Sequence, residues 1–222
     1  MTYKKGDILA LRGAGHPVFY LSPNLGWDDK HNAALGEDSS FRYIAEGFFE
    51  AGAELAAACH AGGGKLDFKF YPLLYLYRHG IELGLKQLYR WRCELLGERL
   101  EPGKPTGHPY LKLWEAVHPL LEGWVADAQG IAIRRPHYSV QEADALLRDI
   151  DALDPGGFSF RYPKSQKGRP LLGSVEAVSV QTVHDALVPL GHTFEAWMAA
   201  AQHTVELERF ALGERKRRKE PR

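Results

Sequence analysis

Apolar residues recur at helical spacing in five stretches of the chain. In the first, Phe41, Ile44, Ala45, Phe48, Gly52, Leu55, Ala56 and Cys59 share one face, while Glu46, Glu50 and Glu54 take the other. This predicts a helix from Ser39 or Ser40 to His60, stopped by Gly62-Gly63-Gly64. A second helix is expected from Pro72, a residue suited to a first turn, to Leu95 or Leu96. Pro109 opens a third, with Leu113, Trp114, Val117, Leu121 and Trp124 as its apolar stripe and Pro119 as a kink or break. Ser139 and Glu142 form a capping box, with Ala143, Leu146, Leu147 and Ile150 behind it. The last helix is expected from Ser179 to Leu207 or beyond, bent at Pro189, and buries Val180, Val183, Leu187, Leu190, Phe194, Trp197, Met198, Ala201 and Val205.

Strand patterns are few. Asp7–Leu11 and Val18–Leu21 read as short strands in a Gly-, Pro- and Asn-rich stretch. The expected organisation is an irregular N-terminal arm (1–38), an all-α helical bundle (39–212) and a frayed, charged C-terminal tail (213–222). A chain of 222 residues suffices for one large core.

The second helix carries the densest chemistry. At roughly 100° per residue, Leu73, Leu74, Leu76, Tyr77, Ile81, Leu83, Leu85 and Leu88 cover more than half of its circumference. Arg78, Tyr89, Glu82, Tyr75, Lys86, His79 and Arg90 fill the remaining stripe. An apolar arc that wide belongs to a helix enclosed by others, with the stripe as a polar cluster in a cleft. The plainer reading is a solvated face with Arg78–Glu82 and Glu82–Lys86 ion pairs of little energetic weight. In the cleft reading, His79 moves a proton near neutral pH, Glu82 orients it or Arg78, and Arg78 and Lys86 hold an anion.

Two loops add similar groups. Gly107-His108-Pro109 puts a His at a helix entrance, where anions are favoured or where the ring acts as a simple cap. Arg161 sits among Phe158, Phe160 and Tyr162, either as a ligand-holding cation or paired with a buried carboxylate. The expected site joins Arg78, His79, Glu82 and His108 as catalytic groups with Lys86, Arg161, Tyr75 and Tyr162 as phosphate- or ligand-binding groups.

Charge and composition narrow the function classes. Lys plus Arg and Asp plus Glu both number 28, which excludes a uniformly basic surface and confines nucleic-acid contact to a local cleft. The basic run Arg215-Lys216-Arg217-Arg218-Lys219 reads as a solvated tail or a phosphate contact. Two cysteines make no disulfide framework, and no apolar run is long enough for a membrane span or a secretory signal, so a cytoplasmic, membrane-free protein is expected. Glu115-Ala-Val-His118 has no second copy, as a di-iron bundle requires, and no histidine pair has supported ligand spacing; no metal or other cofactor is expected. Gly62-Gly63-Gly64-Lys65 lacks the Ser/Thr of a phosphate loop.

Tyr71-Pro72, Tyr77-Arg78-His79, Glu82-Leu83 and Leu85-Lys86, then Gly107-His108 and Leu113-Trp114, then Asp154-Pro155 and Phe160-Arg161-Tyr162-Pro163 together resemble a family of uncharacterised bacterial HEPN-like helical proteins over about residues 40–200. The resemblance implies a homodimer, with Gly80 and Gly84 allowing close helix packing. It also implies a metal-independent RNA-cleaving effector in a defence or toxin setting. Such relatives carry an Arg and a His a few residues apart. Here Arg78 and His79 are adjacent, which keeps open the alternative of a non-catalytic module that senses a ligand or binds a partner protein.

Overall fold

Why the helices begin and end where they do is largely a matter of caps. The computed structural model describes residues 10–11, 16–17, 40–61, 66–100, 110–172 and 178–219, with side chains from 40 to 214. In α1 (Phe41–His60), the Ser40 hydroxyl accepts from the Tyr43 amide, satisfying one of the free N–H groups of the first turn. Then follow α2 (Leu66–Leu95), α3 (Leu111–Asp127), α4 (Val140–Leu153) and α5 (Val180–Lys219). The capping box of α4 is complete: Ser139 Oγ accepts from the Glu142 amide, and the Glu142 carboxylate accepts from the Ser139 amide.

The chain divides into two units between Asp38 and Ser39. In the first, β1 (Ala10–Leu11) pairs antiparallel with β2 (His16–Pro17). The strand expected at Val18–Leu21 lies outside the described residues, as do Gly62–Gly64 and Glu101–Pro109. The second unit is an all-α bundle. Its helix α2 packs on α1, α5 and α3, and α4 closes over α3. Leu73, Tyr77, Ile81, Leu85 and Leu88 of α2 are buried together with Phe49, Trp114, Leu121, Phe194 and Trp197. The Trp114 ring lies 5.6 Å from that of Trp197, and its indole N–H donates to Asp144 at 2.7 Å, joining α3 to α4. No helix among the described residues is long and apolar enough to cross a membrane.

Several expectations need correction. Helix α2 begins at Leu66, not at Pro72. A proline interrupts one intrahelical bond; Pro72 is exposed in the second turn, where that loss is tolerated. Pro119 likewise sits on the solvent side of an unbroken α3, its freed carbonyl at exposed Glu115. Pro189 lies inside α5, and its missing donor is replaced from elsewhere: the Tyr138 hydroxyl approaches the carbonyls of Asp185 and Ala186 at 3.4 and 3.3 Å. Beside it, Thr193 Oγ1 accepts from the amides of His137 and Tyr138 and donates to the Pro189 carbonyl, pinning the segment before α4 to α5. In α1, Phe49 rather than Ile44 enters the core, because the face turned to α2 and α5 is rotated from the predicted one. The backbone of α5 stays helical to Lys219, through most of the expected frayed tail.

Gly80 and Gly84 are taken up inside the bundle. A Cβ on Gly80 would meet Phe49 Cε1 at 2.8 Å, and one on Gly84 would meet Phe194 Cδ1 at 3.0 Å. The glycines let α1 and α5 approach α2 within the chain, so they offer no surface to a second copy.

Candidate functional site

The polar stripe of α2 is not solvated where it matters. Arg78 and Glu82 are each 3% exposed, with Arg78 Nη1 and Glu82 Oε2 3.2 Å apart. Lys86 donates to the other Glu82 oxygen at 2.6 Å. Arg78 Nε stands 3.7 Å from Asp154 Oδ2, and its guanidinium lies 4.1 Å above the Tyr110 ring. Arg78, Glu82 and Asp154 thus share one buried volume, with Lys86 reaching Glu82 from its half-buried edge. Desolvation of each charge is offset by its neighbours, so the network depends on every member. Its extent follows from the wide apolar arc of α2, which leaves the stripe facing protein.

Asp154, absent from the expected set, is the hinge between this network and the loop after α4. It is the C-cap of α4 and 1% exposed. Its Oδ1 accepts from the Ser159 amide at 2.7 Å while Oδ2 faces Arg78, so one carboxylate shapes the loop and docks it on α2. The Gly157 amide donates to the Asp154 carbonyl; Gly157, at φ 71°, supplies the left-handed turn this needs. Its carbonyl in turn accepts from Arg161 Nε at 2.7 Å.

That bond fixes Arg161 on the outer layer of the site. The guanidinium lies 4.9 Å from the Phe158 ring and 5.8 Å from those of Tyr75 and Tyr162. It forms no ion pair among the described residues; the buried carboxylate nearby serves Arg78 instead. Phe158 and Tyr162 are 47% and 53% exposed. His79 stacks on Tyr75 (centroids 5.5 Å apart, 15° between planes) and meets Phe48 edge-on at 4.6 Å. Burial lowers its pKa below the ordinary histidine value; Glu82 opposes this, and Lys86, Arg161 and Arg78 reinforce it. The imidazole is therefore mainly neutral at pH 7, ready to accept a proton.

The structure thus gathers Arg78, His79, Glu82, Lys86, Arg161, Tyr75 and Tyr162, while His108 lies outside the described residues. Arg78 and Glu82 form the sealed inner layer; His79, Lys86, Arg161 and the aromatic rings form the outer one. Asp154, Tyr110 and Phe158 were not among the expected site residues. In the sequence Asp154 is part of the third motif and stands before Pro-Gly-Gly, a loop signal with no hint of an Arg partner on another helix. No group of three or more His, Cys, Asp or Glu among the described residues is arranged to hold a metal ion, and His118 lies against the Trp114 ring at 5.4 Å.

Asp151 flanks the network with a buried oxygen, Oδ1, that has no hydrogen-bond partner. Its pKa is raised, first by burial and then by Asp154, against the pull of Arg78. A carboxyl whose folded pKa exceeds its unfolded one loses stability as pH rises from the unfolded to the folded value. Asp151→Asn is accordingly expected to raise the urea midpoint at pH 7 and to leave it unchanged below pH ~3, where both forms are neutral.

No family model, curated protein or solved structure matches the chain.

Proposed function

We propose that the outer layer binds single-stranded RNA and cleaves it without a metal ion, in a defence or toxin setting and as a homodimer. The observation that carries this reading is a neutral His79 stacked on Tyr75, whose ring also lies beneath the Arg161 guanidinium, beside two exposed aromatic rings. Bases unstacked from RNA seek aromatic faces, and phosphates seek guanidinium and ammonium groups. In this scheme Tyr162 and Phe158 take the bases, and Arg161 and Lys86 take the phosphate. His79 accepts the proton of the 2′-hydroxyl as O2′ attacks phosphorus. The bond to O5′ breaks, leaving a 2′,3′-cyclic phosphate, and O5′ takes a proton from the acid, a role assigned to His108. Arg78, Glu82 and Asp154 position His79 and the loop rather than touch RNA.

A second reading has its own support. The inner ions are paired by charge, as in a network that rigidifies a binding module. The two separate in one experiment: purified protein with total RNA and a labelled tRNA, with and without chelator, beside His79→Ala and Arg161→Ala. Cleavage is expected to fall by about a hundredfold or more in His79→Ala, with binding retained and chelator without effect. Arg161→Ala is expected to weaken binding. RNA that is bound but never cut selects the module; binding insensitive to Arg161→Ala rejects this face as the RNA site.

A further inference from the structure

Helix α2 runs well beyond the cluster around His79 in both directions. At roughly 100° per residue, Phe68, Tyr71, His79, Lys86 and Arg90 fall within one arc of about 100°. Phe68 and Arg90 stand eleven residues from His79, one on either side. At ~1.5 Å per residue, each lies about 16 Å from it along the helix axis. The two arms differ in chemistry. On the Phe68 side they are aromatic: Phe68 is 76% exposed and Tyr71 42%. On the Arg90 side they are cationic. Arg90 is exposed, its guanidinium lies 5.1 Å from the Phe41 ring of α1, and it forms no ion pair among the described residues. The carboxylate one turn further on, Glu94, gives both oxygens to Arg209, at 2.6 and 2.8 Å. Glu82, the acidic group of the arc, is buried between Arg78 and Lys86. The arc thus shows solvent rings at one end and positive charge at the other. An exposed ring or an unpaired guanidinium alone is ordinary on a protein surface. Here both lie on the arc of His79, at equal distances from it.

We propose that this face of α2 is a track for an extended single strand of RNA. Phe68 and Tyr71 stack bases on one side of the scissile phosphate, and Arg90, steadied on Phe41, holds a backbone phosphate on the other. The proposal rests on the reading of the His79 cluster as an RNA site and names the substrate of that site. It is a strand that lies unpaired over about 33 Å, a length in keeping with the roughly 4–16 nucleotides that single-strand sites cover, and neither a dinucleotide nor a duplex. In a duplex the bases stack on one another and leave the rings of α2 nothing to hold.

The test is fluorescence anisotropy of the full chain with labelled RNA strands of about 3 and about 12 nucleotides and a duplex of the longer sequence. Phe68→Ala, Arg90→Ala, the double variant and Arg161→Ala are measured beside the wild type. Phe68 and Arg90 are exposed, and circular dichroism verifies the folding of each variant. The longer strand is expected to bind more tightly than the shorter, and the double variant to lose that gain. Phe68→Ala is expected to weaken binding of the longer strand about tenfold with the salt dependence unchanged, the loss of one stacked base. Arg90→Ala is expected to lower the slope of log affinity against log salt by about 1, the loss of one phosphate contact. Wild-type affinity in Phe68→Ala, an unchanged salt slope in Arg90→Ala, or a duplex bound as tightly as the single strand would overturn the track. If Arg161→Ala still weakens binding in that case, the RNA reading of the His79 cluster stands without it. No binding of any strand overturns both. Length-dependent binding without cleavage keeps the track and rejects the catalytic part of that reading.

Discussion

Asp154→Ala is expected to destabilise the chain by about 3–5 kcal/mol, the cost of removing one partner from a buried charge network. Two losses coincide at this carboxylate. Arg78 keeps Glu82 but loses the charge on its other side, and the Ser159 amide loses a buried acceptor. The loop then keeps only the burial of Phe160 to hold it against the bundle, and Arg161 is expected to lose its place beside Tyr75. Urea denaturation gives the first effect. Asp154→Asn separates the two causes, since its amide oxygen still accepts from Ser159 while the charge is gone; it is expected to fall between wild type and Asp154→Ala. If Asp154→Ala unfolds at the wild-type midpoint, the network is not buried as described.

Gly80→Val is expected to cost about 3 kcal/mol by overpacking. Valine is no worse than glycine in a helix interior, so backbone preference does not explain a loss. The cause is the wedge of Phe49, whose Cε1 stands 2.8 Å from where a Cβ would be. Thermal unfolding of Gly80→Val, Phe49→Leu and the double variant checks this. The smaller ring-free side chain makes room, so the double variant is expected to be more stable than the sum of the single losses predicts. Strict additivity would place the strain elsewhere.

What the sequence revealed of this fold was mostly local. Ser40 and the Ser139–Glu142 box act within one turn of their own helices, and both termini fall where those residues predict. The broad apolar arc of α2 announced an enclosed helix, and burial of Arg78 and Glu82 follows from it. Long-range choices were not legible. Nothing near Asp154 points to Arg78, because their pairing is decided by how the loop folds back over α2. Ile44 and Phe49 flank the same apolar face of α1; only the neighbouring helices decide that the phenyl ring goes inside. Pro72 misled as a helix start because a proline's effect depends on where the freed carbonyl points, a property of the assembled bundle.

The arrangement around Pro189 also constrains how this sequence changes over generations. The ring deprives α5 of a donor, and Tyr138, from a segment well before it in the chain, brings a hydroxyl to the Asp185 carbonyl left behind and to that of Ala186 beside it. If Pro189 mutates first, the restored amide serves the Asp185 carbonyl and the Tyr138 hydroxyl becomes dispensable. If Tyr138 mutates first, that carbonyl loses its donor while the proline is still in place. Inheritance therefore has a preferred order here, with the proline released before the tyrosine is free to drift.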